Sequence, residues 1–360
     1  MRGSLVRAIT FINLDTQYEN VGDALINREL LRLVEPHSEQ LVVRVGGTPD
    51  SFRQNLELER EGVLQVDGLA GFLWRMVLAR LRRRPVYWFL MPGGFHGECT
   101  GFYQLQLWRH NLLIALMRLI GVRVCQIGVS YERLGTNYLR MLRFRQRRTY
   151  AHRVRDAESL AYLQANVVPC DGVSPDLSFN LFDHAPTADG PIRTVCFSFR
   201  TDQYAGQFDD ALRFAQEVRT ALGDGVRYRV FAQVERDIAP GKRLAAEFGG
   251  TALAFDAAPG DIETCLRYYD GVDLVVTNRM HVLLMGASRC GRFIAGPLGR
   301  TNRKIYGLLA FLGLSDSGFD AAGQEAAGPR AQRIEAALGR RLDATAHRAA
   351  LKADVAALFD

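Results

Sequence analysis

Short apolar, β-branched runs alternate with longer amphipathic stretches along the whole of this chain, and that alternation restricts the fold more than any other feature. A short continuous apolar run suits a strand buried on both faces, which needs a parallel sheet with helices on either side. The class is therefore α/β. Strands are predicted at 6–12, 40–45, 86–91, 122–129, 151–154 and near Val167, then at 193–199, 228–232, 252–255 and 274–277. Helices are predicted at 24–34, 69–82, 103–119 and 157–164, then at 209–222, 242–248, 262–269, 282–289 and 302–312.

The 360 residues suit two domains on a prior of about 150 residues each. HAPTADGPI, residues 184–192, breaks the periodicity with Pro, Gly and small polar residues and is the linker candidate. It divides an N-terminal Rossmann-like domain, 1–183, from a C-terminal one, 193–325. An Ala- and Arg-rich tail, 326–360, reads as two helices. Two doubly wound domains would face a cleft, and ligands of such sheets bind beyond the carboxyl ends of the strands.

Several classes are excluded. The opening MRGSLVRAITFINLD reaches Asn13 and Asp15 before any small-residue cleavage site, so it reads as a first strand of a cytoplasmic protein. The most apolar stretch, 105–129, is interrupted by Arg109, His110, Arg118 and Arg123 and does not suit a membrane span. Six cysteines without a CxxC spacing read as reduced, mostly buried thiols, with no metal site expected. A net charge of +6, carried mostly by arginine, favours anionic partners. No aromatic interleaving or reading module points to nucleic acid. Residues 68–84, GLAGFLWRMVLARLRRR, suit either a helix on the sheet with cations at its negative end or a peripheral contact with the inner face of the cytoplasmic membrane.

Candidate chemistry sits where predicted strands end. LVVTNRMH places Arg279, Met280 and His281 between a strand and the positive end of a helix. A guanidinium there is a two-pronged donor for carboxylate or phosphate, and an imidazole, with an ordinary pKa of about 6.5, is a proton donor near neutrality. Both also have structural readings, as a loop-bracing arginine and a helix cap. Asn20, Gly22 and Asp23 precede the first helix, where a glycine admits a close backbone approach and Asn or Asp can be a cap. Met91-Pro92-Gly93-Gly94 offers bare backbone N–H groups to a phosphate or sugar, with His96 just beyond as a sugar contact or a surface residue. Arg155 ends a short AHRV strand, pointing to the same cleft as Arg279 or pairing with Asp156, while Asp156 or Ser159 caps the next helix.

In order and spacing these elements resemble the polysaccharide pyruvyl transferase family over residues 11–314. They are the N-x-GD element at Asn20–Asp23, the glycine turn at Pro92–Gly94, R-D-x-x-S at Arg155–Ser159, P-D-L-S-F from Pro175, S-F-R from Ser198, R-x-H at Arg279–His281, and the lysine of NRKIYGLLAFLGL, Lys304. Pro-Gly-Gly replaces the family's usual triple glycine, and Thr277-Asn278 replaces the commoner Thr-Ser. The resemblance implies a fold similar to glycosyltransferase-B enzymes, no cofactor or metal beyond phosphoenolpyruvate as co-substrate, and pyruvyl transfer onto two hydroxyls of a sugar as a cyclic ketal. The acceptor implied is a glycan or a lipid-linked oligosaccharide, with 1–183 the acceptor side and 193–325 the donor side. His281 is then the catalytic acid, and Arg279, Arg155, Met280 and Lys304 hold the donor. Asn20, Gly22, Asp23, Gly93, Gly94 and His96 form the acceptor or phosphate loops. The rival readings are a nucleotide-sugar glycosyltransferase in the same cleft and a non-catalytic glycan-binding protein.

Overall fold

The computed structural model describes residues 7–183, 190–254, 261–299, 302–321 and 327–360. The linker candidate therefore lies mostly outside the described residues. The chain divides into two compact units: Met1–Tyr18, Asp23–Asn180 and Ala349–Asp360 form one, Glu19–Gly22 and Leu181–Arg348 the other. Both have a parallel-sheet α/β, Rossmann-like architecture of the glycosyltransferase-B kind.

The first unit carries β1 (Ala8–Asn13), β2 (Ser38–Arg44), β3 (Val63–Val66), β4 (Val86–Phe89), β5 (Gly93–Gly97), β6 (Arg123–Leu134), β7 (Ala151–Val154) and β8 (Gly172–Val173). Their order is β3-β2-β1-β4-β6-β7-β8, all parallel, and β5 pairs with the far half of β6. The four-residue run VYWF of β4 is wholly buried, as a strand covered on both faces must be. Trp88, Phe72, Met76, Ile114 and Met117 share one core cluster on one side of this sheet. Each large side chain so buried contributes about 1.5–3 kcal/mol. Ala349–Asp360 return to the same sheet, where the Phe359 ring lies 4.4 Å from that of Tyr87.

The second unit carries β9 (Thr194–Ser198), β10 (Arg227–Ala232), β11 (Thr251–Ala254), β12 (Leu274–Thr277), β13 (Phe293–Leu298) and β14 (Gly318–Asp320), in the order β11-β10-β9-β12-β13-β14. The order reverses between β9 and β12, which makes the carboxyl ends of those neighbours a topological switch point. Phe197, Phe214, Val218, Leu274 and Ile294 pack one face, joined by Ile334 and Ala337 of the helix Ala327–Leu338.

The structure adds β3, β8, β14 and the helices Asp50–Asn55 and Thr136–Gln146 to the expected elements, and three further differences have a local cause. The strand expected near Val167 is the end of a helix: Val167 is left-handed at φ 52° and the Val168 N–H returns to the Leu163 carbonyl at 2.9 Å. The apolar pair thus closes the helix Ala157–Ala165 instead of entering the sheet. β13 was not expected because Gly296 and Pro297 break its apolar run; the β13–β14 register shifts between Ala295 and Leu298, where the proline lies. β5 was not expected because its glycines read as a turn. The six cysteines are free thiols, five of them buried.

Candidate functional site

The second unit gathers its chemistry at the carboxyl ends of β9, β10 and β12. After β12, the Thr277 hydroxyl donates to the Ser198 carbonyl at 2.6 Å and accepts the Arg279 N–H at 2.9 Å. Strand end and turn are thus pinned to β9. Asn278 accepts the Arg200 N–H at 2.6 Å and donates back to the Arg200 carbonyl at 3.0 Å. That double clamp fixes the backbone of Arg200, and a serine is too short to make it.

The side chains projecting from these strand ends form a charge cluster. Buried Arg279 pairs with buried Asp237, which follows β10. Arg200 donates to Asp202 at 2.6 Å, and Arg236 lies 3.3 Å from the same carboxylate. Three guanidiniums thus meet two carboxylates, leaving positive charge in excess. Burial holds the Asp237 carboxyl above its ordinary range despite the attraction of Arg279. Burial lowers Arg279 from its usual value, and repulsion from Arg200 and Arg236 adds to this, while Asp237 opposes it. Burial alone would raise Asp202, yet the hydrogen bond and charge of Arg200, with Arg236 and Arg279 behind, hold it low. The Arg279 Nε and Asp237 Oδ2 find no hydrogen-bond partner among the described residues, which is costly for buried polar atoms.

Met280 and His281 begin the helix Met280–Cys290, so its unpaired N–H groups lie beside the cluster. Gly22 packs directly against this imidazole: a Cβ at that position would lie 2.1 Å from His281 Nδ1. The close approach expected of Gly22 is thus made by a side chain of the protein itself. Asn20 holds the segment, accepting the Gly22 N–H at 3.0 Å and the Gln233 side-chain amide at 2.8 Å. Lys304 is half-buried in the first turn of the helix Arg303–Phe311 that follows β13. Asn20, Gly22, Arg279, Met280, His281 and Lys304 therefore belong to one unit.

The remaining candidates belong to the other unit. Arg155 donates to Asp176 at 2.9 Å and to the Ser130 hydroxyl at 3.0 Å, so its carboxylate partner is Asp176 and not the neighbouring Asp156. Asp156 instead caps the helix Ala157–Ala165 through the Ser159 N–H at 2.6 Å, and Ser159 accepts the Tyr131 N–H at 3.0 Å. Asp176 also accepts the Ser178 N–H at 2.9 Å. The R-D-x-x-S and P-D-L-S-F elements are therefore two halves of one buried network. Gly93 and Gly94 open β5 opposite Val129 and Ser130, so their backbone joins a ladder, and Gly93 at φ 120° takes a conformation that suits glycine. His96 is exposed on β5, and Asp23 accepts the Thr16 hydroxyl at 3.1 Å.

Sequence reasoning missed Arg236, Asp237 and Asp202. The available signal was position: FAQVERD runs straight out of β10, as SFRTD runs out of β9. Among the described residues no group of three or more His, Cys, Asp or Glu is placed to hold a metal ion, and no helix is long and apolar enough to cross a membrane.

Solved structures share the fold. A UDP-GlcNAc 2-epimerase from Neisseria meningitidis, bound to UDP-GlcNAc, aligns with a TM-score of 0.54 at 10% identity over 98% of this chain and 99% of that one. A glycosyltransferase from Rickettsia africae aligns with a TM-score of 0.54 at 9% identity over 99% and 94%. Identities this low establish architecture alone. No curated protein matches the chain. The polysaccharide pyruvyl transferase family matches residues 20–294, which span the Asn20–Gly22 segment, the Arg155 network and the Arg279–His281 element, and the chain belongs to that family.

Proposed function

We propose that this protein transfers the pyruvyl group of phosphoenolpyruvate to two hydroxyls of one sugar in a glycan, forming a cyclic ketal. The observation that carries this reading is the positive excess of Arg279, Arg200 and Arg236 beside His281 at the start of a buried helix. Phosphoenolpyruvate carries a carboxylate and a phosphate at either side of one reacting carbon. Fixed guanidiniums and a helix amino end suit both, at about 1.5–3 kcal/mol per charge-assisted hydrogen bond.

In this reaction protonated His281 gives its proton to the methylene carbon, which becomes a methyl group. Positive charge develops at the phosphate-bearing carbon, and the first sugar hydroxyl adds there. Its proton returns to the imidazole. The second hydroxyl then forms a bond to the same carbon as the C–O bond to phosphate breaks, and its proton leaves with the phosphate. The balance is phosphoenolpyruvate plus diol giving ketal plus phosphate. Arg279 and the helix amino end bind the donor's charge, Gly22 backs the ring, and Lys304, on the helix after β13, adds positive charge.

Incubation with phosphoenolpyruvate and a panel of galactosides, glucosides and N-acetylmannosaminides, read by mass spectrometry, tests the reading. A pyruvyl adduct with stoichiometric phosphate release is expected. No adduct with any acceptor, together with thermal stabilisation by a nucleotide sugar and none by phosphoenolpyruvate, would reassign the site to glycosyl transfer.

A further inference from the structure

The first unit carries a second uncommon surface, remote in chemistry from the transfer site. Between Gly68 and Arg155 the sequence has sixteen arginines and only two carboxylates, Glu98 and Glu132. Glu98 is spent at the start of the helix Thr136–Gln146, accepting the N–H groups of Tyr138 at 3.1 Å and Asn137 at 3.4 Å. The helices Leu69–Leu81, Gly101–Leu119 and Thr136–Gln146 contain no acid at all.

The middle helix, Gly101–Leu119, adjoins the other two. Phe72 and Met76 of the first share a core cluster with Ile114 and Met117 of the second, and Arg80 donates to the Ile120 carbonyl at 3.0 Å. Asn111 of the second donates to the Met141 carbonyl of the third at 3.0 Å, and the Trp108 and Phe144 rings meet edge-on at 5.3 Å. Inward, the helices bury Phe72 and Met76, Ile114 and Met117, and Met141 and Leu142. Outward, the middle helix repeats the pattern: Phe102, Leu105, Leu112, Leu116 and Leu119 recur at the three- and four-residue spacing of one face, and Leu119 is 83% exposed. Trp74 and Leu81 of the neighbouring helix are exposed too. The cations among them are Arg75, Arg82, Arg109 and Arg118, all exposed. On the third helix and the turn after it, Arg140, Arg143, Arg147 and Arg148 ring a depression floored by Trp108 and Phe144.

Monomeric proteins seldom expose an apolar patch of this kind without a partner for it. Charge selects the partner. A second copy of the face would set arginine against arginine with no carboxylate to pair. A bilayer bearing anionic headgroups offers negative charge at the depth of the guanidiniums and hydrocarbon at the depth of the leucines. We propose that the outer face of these three helices docks the protein on an anionic lipid bilayer. This goes beyond the transfer reaction and stands independently of it.

The test is co-sedimentation of the full chain with phosphatidylcholine vesicles with and without phosphatidylglycerol. Binding is expected only with phosphatidylglycerol and should weaken as salt rises. Paired Arg75→Glu and Arg109→Glu substitutions should lower it on the order of tenfold or more. Leu116→Glu with Leu119→Glu should abolish it while the urea midpoint holds, because all four side chains are exposed. A fold-neutral second measurement is quenching of Trp74 by brominated lipid, lost in Trp74→Phe. Equal sedimentation with and without phosphatidylglycerol, indifference of both charge and leucine variants, or no Trp74 quenching overturns the proposal. A dimer in vesicle-free solution that Leu116→Glu with Leu119→Glu dissolves overturns it equally, assigning the face to a second copy.

Discussion

Each unit places a motif arginine at the carboxyl end of a parallel strand and pairs it with a buried carboxylate, yet the two surroundings differ in charge. Around Arg155 one guanidinium meets one carboxylate, Asp176, and the neighbouring hydroxyl and N–H groups tie β6, β7 and the P-D-L-S-F segment together. Around Arg279 three guanidiniums share two carboxylates at the start of a helix. The first arrangement is balanced in charge. The second keeps a positive surplus that a small dianion would neutralise. Two arginines of the same motif type thus stand in surroundings of different charge, one balanced and one positive.

That contrast can be broken by substitution. Asp176→Ala strands a buried guanidinium and is expected to cost about 3–5 kcal/mol in urea unfolding, with turnover per folded molecule little changed. Unaltered stability with lost phosphoenolpyruvate binding would move Arg155 into the donor site, as the family resemblance implied. His281→Ala should leave a folded protein whose pyruvyl transfer falls by about 100-fold or more, read as phosphate release with an acceptor present. Near-normal turnover would mean that another group supplies the proton.

Arg279→Ala should weaken phosphoenolpyruvate binding by about 1.5–3 kcal/mol in calorimetric titration. Its cost in stability should be smaller than that of Asp176→Ala, because burial already favours the neutral form of Asp237, which can take up a proton when its partner goes. The smallest effect is a pH dependence. Asp202 is held below its ordinary value in the folded state, so its contribution is present above the unfolded value and disappears as pH falls through the folded one. Asp202→Asn should therefore lower the urea midpoint at pH 7 and cease to matter well below about pH 4. A difference that persists in acid would show that the ion pairs of Asp202 contribute nothing.

Much of the fold was legible because buried parallel strands leave continuous apolar runs, and β9, β10 and β12 lie within a residue or two of their expected places. The failures have local causes. β13 hid behind a Gly-Pro pair, and the valines at 167 and 168 spend their apolarity on closing a helix. The site was legible only where a strand, a charged residue and a helix follow one another in sequence, as at Arg279–His281. Asp237 and Gln233 act through tertiary pairing with Arg279 and Asn20, which no local pattern announces. The role of Arg155 was ambiguous because its true partner, Asp176, lies 21 residues away.

The contact between Gly22 and His281 joins the short early segment Glu19–Gly22 to a helix in the middle of the second unit's long later segment, Leu181–Arg348. A nascent chain therefore has no seated imidazole until the second sheet has emerged and gathered in a segment synthesised long before. Acquiring chemistry is thus among the late events of this molecule's folding, and it waits on a contact between residues far apart in the chain.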